Sequence, residues 1–483
     1  MRDLVVLIEL DGKACRSMAR KLRAEHIYCR ILPAHATAED VQAQEARGII
    51  LAGADRGEAA CVPYLDSLLA TGLPMLAMGD GALSLAQQLG CTLGEKATEP
   101  GLFQVRFESA EALFADTTSG ERYIPACRTI TLSAACHPIA QTDEGILGFR
   151  AAGKSVYGLA FLPETNDPDG TQLLINFCQN VCGCTLWWNR QLFMERALEE
   201  IRSVCQDGEA LCAISGGIDS GVCALLGNRA IGHKLHCLLI DTGLLRKGES
   251  EEVLSTYRDA LGLNVHCVDA SAAILPALAG VVDAQEKARI VHEQILQIIR
   301  RELQNMPGVT TVLQGTNYTD TLDNPHHVPA YELNLVEPVR ELFKDEIRQV
   351  GEEFFLPESI IRRQPFPGSG LASRIFSDVT EEKLSILREA DAIFCREVEA
   401  TGQNKRLFQY YATLADAPIP GSNGYVIILR AVQVIDGNVA IASRLPYDLL
   451  ERVTEDIMTA LPSVCRVLYD FTPSQSYARN TVR

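Results

Sequence analysis

Residues 215–220 read Ser215-Gly216-Gly217-Ile218-Asp219-Ser220, and their surroundings constrain the chain more than any other stretch. An apolar run, Ala210-Leu211-Cys212-Ala213-Ile214, comes before them, and a helical apolar pattern, Val222-Cys223-Ala224-Leu225-Leu226, comes after. A strand, a glycine turn and a helix in that order aim backbone N–H groups and the positive helix end at one point, where phosphate binds. The glycines let the backbone approach an anion closely, and the two serines add hydroxyl donors. No lysine follows the glycines, so this is not the common P-loop. The bland alternative is a loop with a helix cap, and the placement between strand and helix weighs against it.

A chain of 483 residues is too long for one ordinary core and implies about three domains. Hydrophobic residues at 47% and charged residues at 22% describe a soluble globular protein. A net charge of −18 argues against non-specific nucleic-acid binding and against an anionic membrane surface, leaving room for a local basic pocket. The N-terminal stretch Met1-Arg2-Asp3-Leu4-Val5-Val6-Leu7-Ile8 carries an acid and too short an apolar run for a signal peptide, and no run reaches bilayer length. The 16 cysteines are scattered through apolar segments without a Cys-x-x-Cys pair, and Cys182-Gly183-Cys184 lacks a partner pair for zinc. They read as small buried hydrophobes in a reducing cytoplasm.

Three segments follow from the patterning. Up to about Trp188, apolar strands (Leu4–Ile8, Gly48–Leu51, Pro74–Ala77) alternate with helical patterns such as Ala82–Leu89, which predicts a parallel α/β sheet extended by Val156–Phe161. The second segment opens with a helix from Asn189 to Cys205. It continues through strands ending at Asp241 and Asp269, a long helix from Ala284 to Leu303 and a strand Thr311–Leu313. Acids at strand ends suit a doubly wound sheet with its ligand crevice at the carboxyl edge. The breaker-rich stretch Arg363–Gly370 reads as a linker. Beyond it, a helix begun by Thr380, strand-like Tyr425–Val434, a helix Tyr447–Leu461 and a strand Val464–Phe471 predict a small α+β domain.

With these landmarks placed, the chain resembles the glutamine-dependent GMP synthetase family over nearly its whole length. The resemblance is carried by Ile214–Ser220, Asp241–Arg246, Gln314–Asp320, Val336–Glu346, Pro365–Ala372, Val379–Ala392 and Leu445–Leu449. It implies a class I amidotransferase domain (1–188), an ATP pyrophosphatase domain (189–373) and a dimerisation domain (374–483). The implied reaction activates the C2 oxygen of XMP with Mg-ATP, releases pyrophosphate, and replaces AMP by ammonia derived from glutamine.

Departures from the family fall in two places. The amidotransferase turn, Gly-x-Cys-x-Gly in the family, is Ala77-Met78-Gly79-Asp80-Gly81 here, so Gly79 stands at the nucleophile position. The motif Gln-Phe-His-Pro-Glu is Ala160-Phe161-Leu162-Pro163-Glu164, with Leu162 in place of the base. A Cys nucleophile and a His base are both required for this chemistry, so no glutaminase activity is expected. Cys136-His137 does not rescue it, because neighbouring side chains in a strand point apart. On the acceptor side, the tail 472–483 lacks the family's Lys and Glu, although Arg479 or Arg483 offers a cation in a new register. Pro418–Tyr425 lacks an Asp and an Arg, and the lid Asn324-Pro325-His326-His327-Val328 has lost a Lys.

The ATP machinery keeps its pattern. By resemblance, Ser215, Gly216, Gly217, Ile218, Asp219 and Ser220 hold pyrophosphate, and Gly243, Leu244, Arg246 and Gly315 border the nucleotide. Asp219 is a candidate Mg²⁺ ligand that would equally serve as a helix cap, and Asp323 is a second candidate standing where the family has Glu. Lys344 and Asp345 are candidates to neutralise transition-state charge, or else form an exposed ion pair at a helix start. Three readings stay open. The chain is an ammonia-dependent GMP synthetase-type ligase fed by a separate ammonia source, an AMP-forming ligase with another acceptor, or a non-catalytic nucleotide-binding subunit. A homodimer is expected in each.

Overall fold

A computed structural model describes residues 3–54, 56–95, 99–124, 127–162, 170–323, 332–419, 422–435 and 439–472. The expectations for Pro163, Glu164, the lid 324–328 and the tail 473–483 lie outside the described residues. The chain divides into two compact units, Met1–Phe193 and Met194–Arg483.

The first unit is built on a mixed sheet. Strands Cys29–Pro33, Val5–Glu9, Gly48–Ala52, Met75–Met78 and Val156–Leu159 lie side by side in that order, all parallel. Gly48–Ala52 and Met75–Met78 are buried throughout, as strands covered on both faces must be, which is why they read as unbroken apolar runs. Beyond Val156–Leu159 the sheet turns antiparallel through Gly145–Ala151, Cys136–Thr142, Gly101–Phe107 and Gly120–Ile124. The parallel sheet read from the apolar runs is therefore only part of it. The turn from Thr142 to Gly145 is far too short for a crossover, so those strands can pair only antiparallel.

The second unit holds a five-stranded parallel sheet in the order Val265–Asp269, Leu235–Asp241, Glu209–Ile214, Val309–Leu313, Asn334–Val336. Chain order runs outward in one direction from Glu209–Ile214 and then restarts on its other side. That central strand therefore sits at a topological switch point, where such sheets leave a crevice at their carboxyl edge. The acids at the strand ends close turns. Asp241 accepts from Gly243 N (2.9 Å) and Ser250 Oγ (2.6 Å), and Asp269 accepts from Ser271 N (2.9 Å).

Downstream, helix Glu381–Ala400 starts as expected, with the Thr380 hydroxyl accepting from Lys383 N at 3.2 Å. A four-stranded sheet follows, in which Ser422–Ile435 pairs antiparallel with Gln409–Ile419 and Val439–Ala442 and parallel with Val464–Tyr469. The strand Gln409–Ile419 is hard to see in sequence, since an Ala-Asp-Ala-Pro stretch has low strand propensity. Its long pairing with Ser422–Ile435 supplies the order instead. Leu244, Ile274, Val291, Leu387, Phe394, Leu429 and Val453 belong to one continuous apolar cluster, so residues before and after Ser373 share a core.

Candidate functional site

The loop leaves the central strand at Ile214, and helix Ile218–Ile231 starts immediately after Gly217. Gly216 has φ +75°, a conformation that favours glycine. Ser220 Oγ accepts from Ser215 N and donates to Gly217 O, each at 3.2 Å, which draws the loop into a tight turn. Ser215, Gly217, Ile218 and Asp219 line a cavity of about 340 Å³ at the carboxyl edge of the sheet. Its floor is apolar, from Leu238, Leu239, Ile240 and Ile295, and its rim carries Lys344 and Arg363.

Asp219 and Lys344 come together although 125 positions separate them in the chain. Lys344 Nζ donates to Asp219 Oδ2 at 3.1 Å, and Asn317 Nδ2 reaches the same oxygen at 3.5 Å. Lys344 opens helix Lys344–Glu353. Buried Phe343 anchors the helix start, and the Glu346 carboxylate accepts from Phe343 N at 2.8 Å. Asp219 Oδ1 is buried and has no hydrogen-bond partner among the described residues, a costly state for a carboxylate oxygen unless a ligand completes it. Mg²⁺ takes one or two carboxylates and fills its octahedron with phosphate oxygens and water, so this single oxygen beside an anion loop fits it.

The remaining candidates divide. Gly315 lies against the helix start, where an added Cβ would stand 2.9 Å from Asp219 C and Ser220 N; its smallness lets Asn317 reach Asp219. Gly243 (φ +71°) turns the chain, and Leu244 is wholly buried. The Arg246 guanidinium is buried, 3.4 Å from Asp391 and stacked over Phe366 at 4.9 Å. These three do not line the cavity, whereas their neighbours Thr242 and Leu245 do. Asp345 is exposed on the first turn of its helix and does not line the cavity. Asp323 ends helix Tyr318–Asp323. The stretch read as a linker is instead a cavity wall formed by Gln364, Pro365, Phe366, Pro367, Gly368 and Gly370. It is fixed by Leu371 N donating to Leu244 O at 2.8 Å and by Gln409 Nε2 donating to Pro365 O at 3.0 Å. Asn317 and Arg363 complete the site. Asn317 lies inside the stretch Gln314–Asp320 and Arg363 opens the stretch read as a linker, but their contacts are with residues roughly 100 or more positions away.

In the first unit, Gly79 occupies a sharp strand-to-helix turn (φ +56°, ψ −131°) between Met75–Met78 and helix Asp80–Gln88. Such a turn exposes a nucleophile when a side chain is present. Next to it, Asp80 N donates to Ala54 O at 2.7 Å, and the buried Asp80 carboxylate accepts from Arg56 N and Gly57 N (3.1 Å each) and Glu58 N (3.3 Å). Burial raises the Asp80 carboxyl above its ordinary value, against the opposing pull of those N–H donors. Leu162 is buried. Cys136 is buried with its thiol pushed up to about 11, chiefly by burial, while His137 is exposed.

A parallel sheet whose switch-point strand feeds a Ser-Gly-Gly loop into a helix, with a lysine set opposite the helix's first carboxylate, has the architecture of the ATP pyrophosphatase type. The GMP synthase C-terminal domain family matches residues 396–477. The chain is 35% identical to the glutamine-hydrolyzing GMP synthase of Caldicellulosiruptor saccharolyticus, over 97% of this chain and 98% of that protein. It is 34% identical to the enzymes of the same name from Bacillus thuringiensis subsp. konkukian (97% of this chain, 96% of that one) and Bacillus anthracis (97% of each). The chain belongs to the GMP synthase family, and with it to the ATP-dependent ligases.

Proposed function

We propose that the protein is a cytoplasmic, homodimeric, AMP-forming ligase that adenylates the carbonyl oxygen of XMP or a related acceptor. It then aminates that carbon with ammonia not made by its own amidotransferase-like region. In this reading residues 1–188 are an amidotransferase-like domain without its chemistry, 189–373 carry the adenylation site and 374–483 the dimer contacts. The acceptor oxygen attacks the α-phosphorus of ATP, and the bond to pyrophosphate breaks. The N–H groups at the start of helix Ile218–Ile231, together with Lys344, receive the charge that develops on the departing phosphates. Ammonia then attacks the activated carbon, AMP leaves with the C–O bonding electrons, and the spare protons pass to solvent. Mg²⁺, when bound, would neutralise phosphate charge, and Asp219 would hold it.

The observation that carries this reading is the Asp219 carboxylate, with one oxygen on Lys344 and the other buried beside the loop and unpartnered among the described residues. The separate ammonia source follows from Gly79 and Leu162, since neither side chain can attack or carry a proton. The test is ATP–pyrophosphate exchange on purified protein with XMP as acceptor and ammonium withheld. Exchange dependent on XMP is expected. Exchange only with another acceptor would reassign the substrate, and failure to bind ATP would remove the enzymatic reading.

A further inference from the structure

Arg363 lies 147 positions from Gly216, yet its Nη1 donates to Gly216 O at 3.0 Å. The same guanidinium stands 3.5 Å from Glu249 and bonds Glu252, so helix Glu249–Leu254 holds it from the other side. The contact with Gly216 is as close as a glycine permits: a Cβ there would sit 2.5 Å from Arg363 Nη1 and from Val253 Cγ2. Peptide units are planar and trans, so a carbonyl and the N–H of the next residue point in opposite directions. Drawing Gly216 O toward Arg363 therefore turns the Gly217 N–H away from the arginine. Among the described residues that N–H has no protein acceptor, and Gly217 lines the cavity.

We propose that Arg363 is a positioning residue for the pyrophosphate loop, fixing the Gly216–Gly217 peptide so that its N–H is presented to the leaving phosphates. The inference rests on the adenylation reading and adds to it a role for a residue outside the loop. Arg363 also precedes the wall Gln364–Gly370 directly, so one guanidinium ties the loop, the wall and helix Glu249–Leu254 together. The charge it brings is already matched by two carboxylates. What it contributes to the loop is geometry.

Calorimetry on the full chain, with Mg²⁺ and either inorganic pyrophosphate or AMP as the probe, separates the possibilities. Arg363→Ala should bind pyrophosphate about tenfold or more weakly, the loss typical of a charge-assisted hydrogen bond, with a distinctly smaller loss for AMP. Arg363→Lys keeps the charge but cannot span the carbonyl and both glutamates, so it should also lose pyrophosphate affinity, and it serves as the decisive variant if alanine prevents folding. Wild-type pyrophosphate affinity in Arg363→Lys, or equal losses for AMP and pyrophosphate, would overturn the positioning role and leave the adenylation site standing. If the wild-type chain bound neither probe, the adenylation reading itself would fall, and this proposal with it.

Discussion

Lys344 Nζ sits 3.1 Å from Asp219 Oδ2, while Oδ1 of the same carboxylate is buried without a partner among the described residues. One oxygen is balanced by a cation and the other is poised for one. Asp219→Asn keeps the shape and removes the charge. Mg-ATP affinity should fall about tenfold or more, with little change for ATP in excess chelator. Paired titrations with and without Mg²⁺ measure this, and equal losses under both conditions would remove the metal role.

Gly217 and Gly216 should respond differently to substitution. A Cβ at Gly217 meets only Ser215 Oγ, at 3.4 Å, and its φ of −78° suits any residue. Gly217→Leu should therefore leave the unfolding midpoint within a few degrees of wild type while blocking phosphate approach. A leucine variant that binds Mg-ATP normally would make the loop structural.

The amidotransferase-like site should resist simple repair. An acyl-transfer oxyanion needs free N–H donors, but Asp80 N is committed to Ala54 O, and the N–H groups of Arg56, Gly57 and Glu58 to the Asp80 carboxylate. Wild-type protein should release no glutamate from glutamine above buffer. Gly79→Cys combined with Leu162→His should not change that. Glutamate production by this double variant would show that the donors are available.

Lys287 is wholly buried, and its ammonium donates to the carbonyls of Ala372 (3.2 Å), Ile375 (2.6 Å) and Ser377 (2.5 Å). Burial brings its pKa down to about 8. The unfolded chain then binds this proton more tightly than the folded one. The group's contribution to stability is lowest below about pH 8 and recovers as pH rises toward the ordinary lysine value of 10.5. The unfolding free energy of wild type relative to Lys287→Met should rise by about 2 kcal/mol between pH 8 and pH 10. Denaturant titrations across that range test it, and a flat or falling difference would contradict the sign.

Light scattering should report a dimer, twice the 52.8 kDa chain mass. A chain ending at Ser373 should be poorly soluble as well as monomeric. It would expose Leu244, Ile274 and Val291, which pack in one cluster with Leu387, Phe394 and Val453. A monomeric intact protein at micromolar concentration would refute the assembly expectation.

Short-range signals are enough to read the local grammar of the chain. Apolar runs of strand length, two glycines at a strand end and an apolar helix pattern locate the loop 215–220, because those signals act over a few residues through backbone sterics and helix-end donors. Family motifs marked Lys344 and the empty positions Gly79 and Leu162 in the same way, as identities at fixed places. Only the tertiary structure brought Lys344 and Asn317 to Asp219, set Arg363 on Gly216 and closed the Asp80 carboxylate over the loop 56–58. It also turned an apparent linker into a cavity wall and joined two expected domains in one core. These are contacts between residues that are distant in the chain. The sheet order that creates them depends on burial and crossover geometry, which no local pattern encodes.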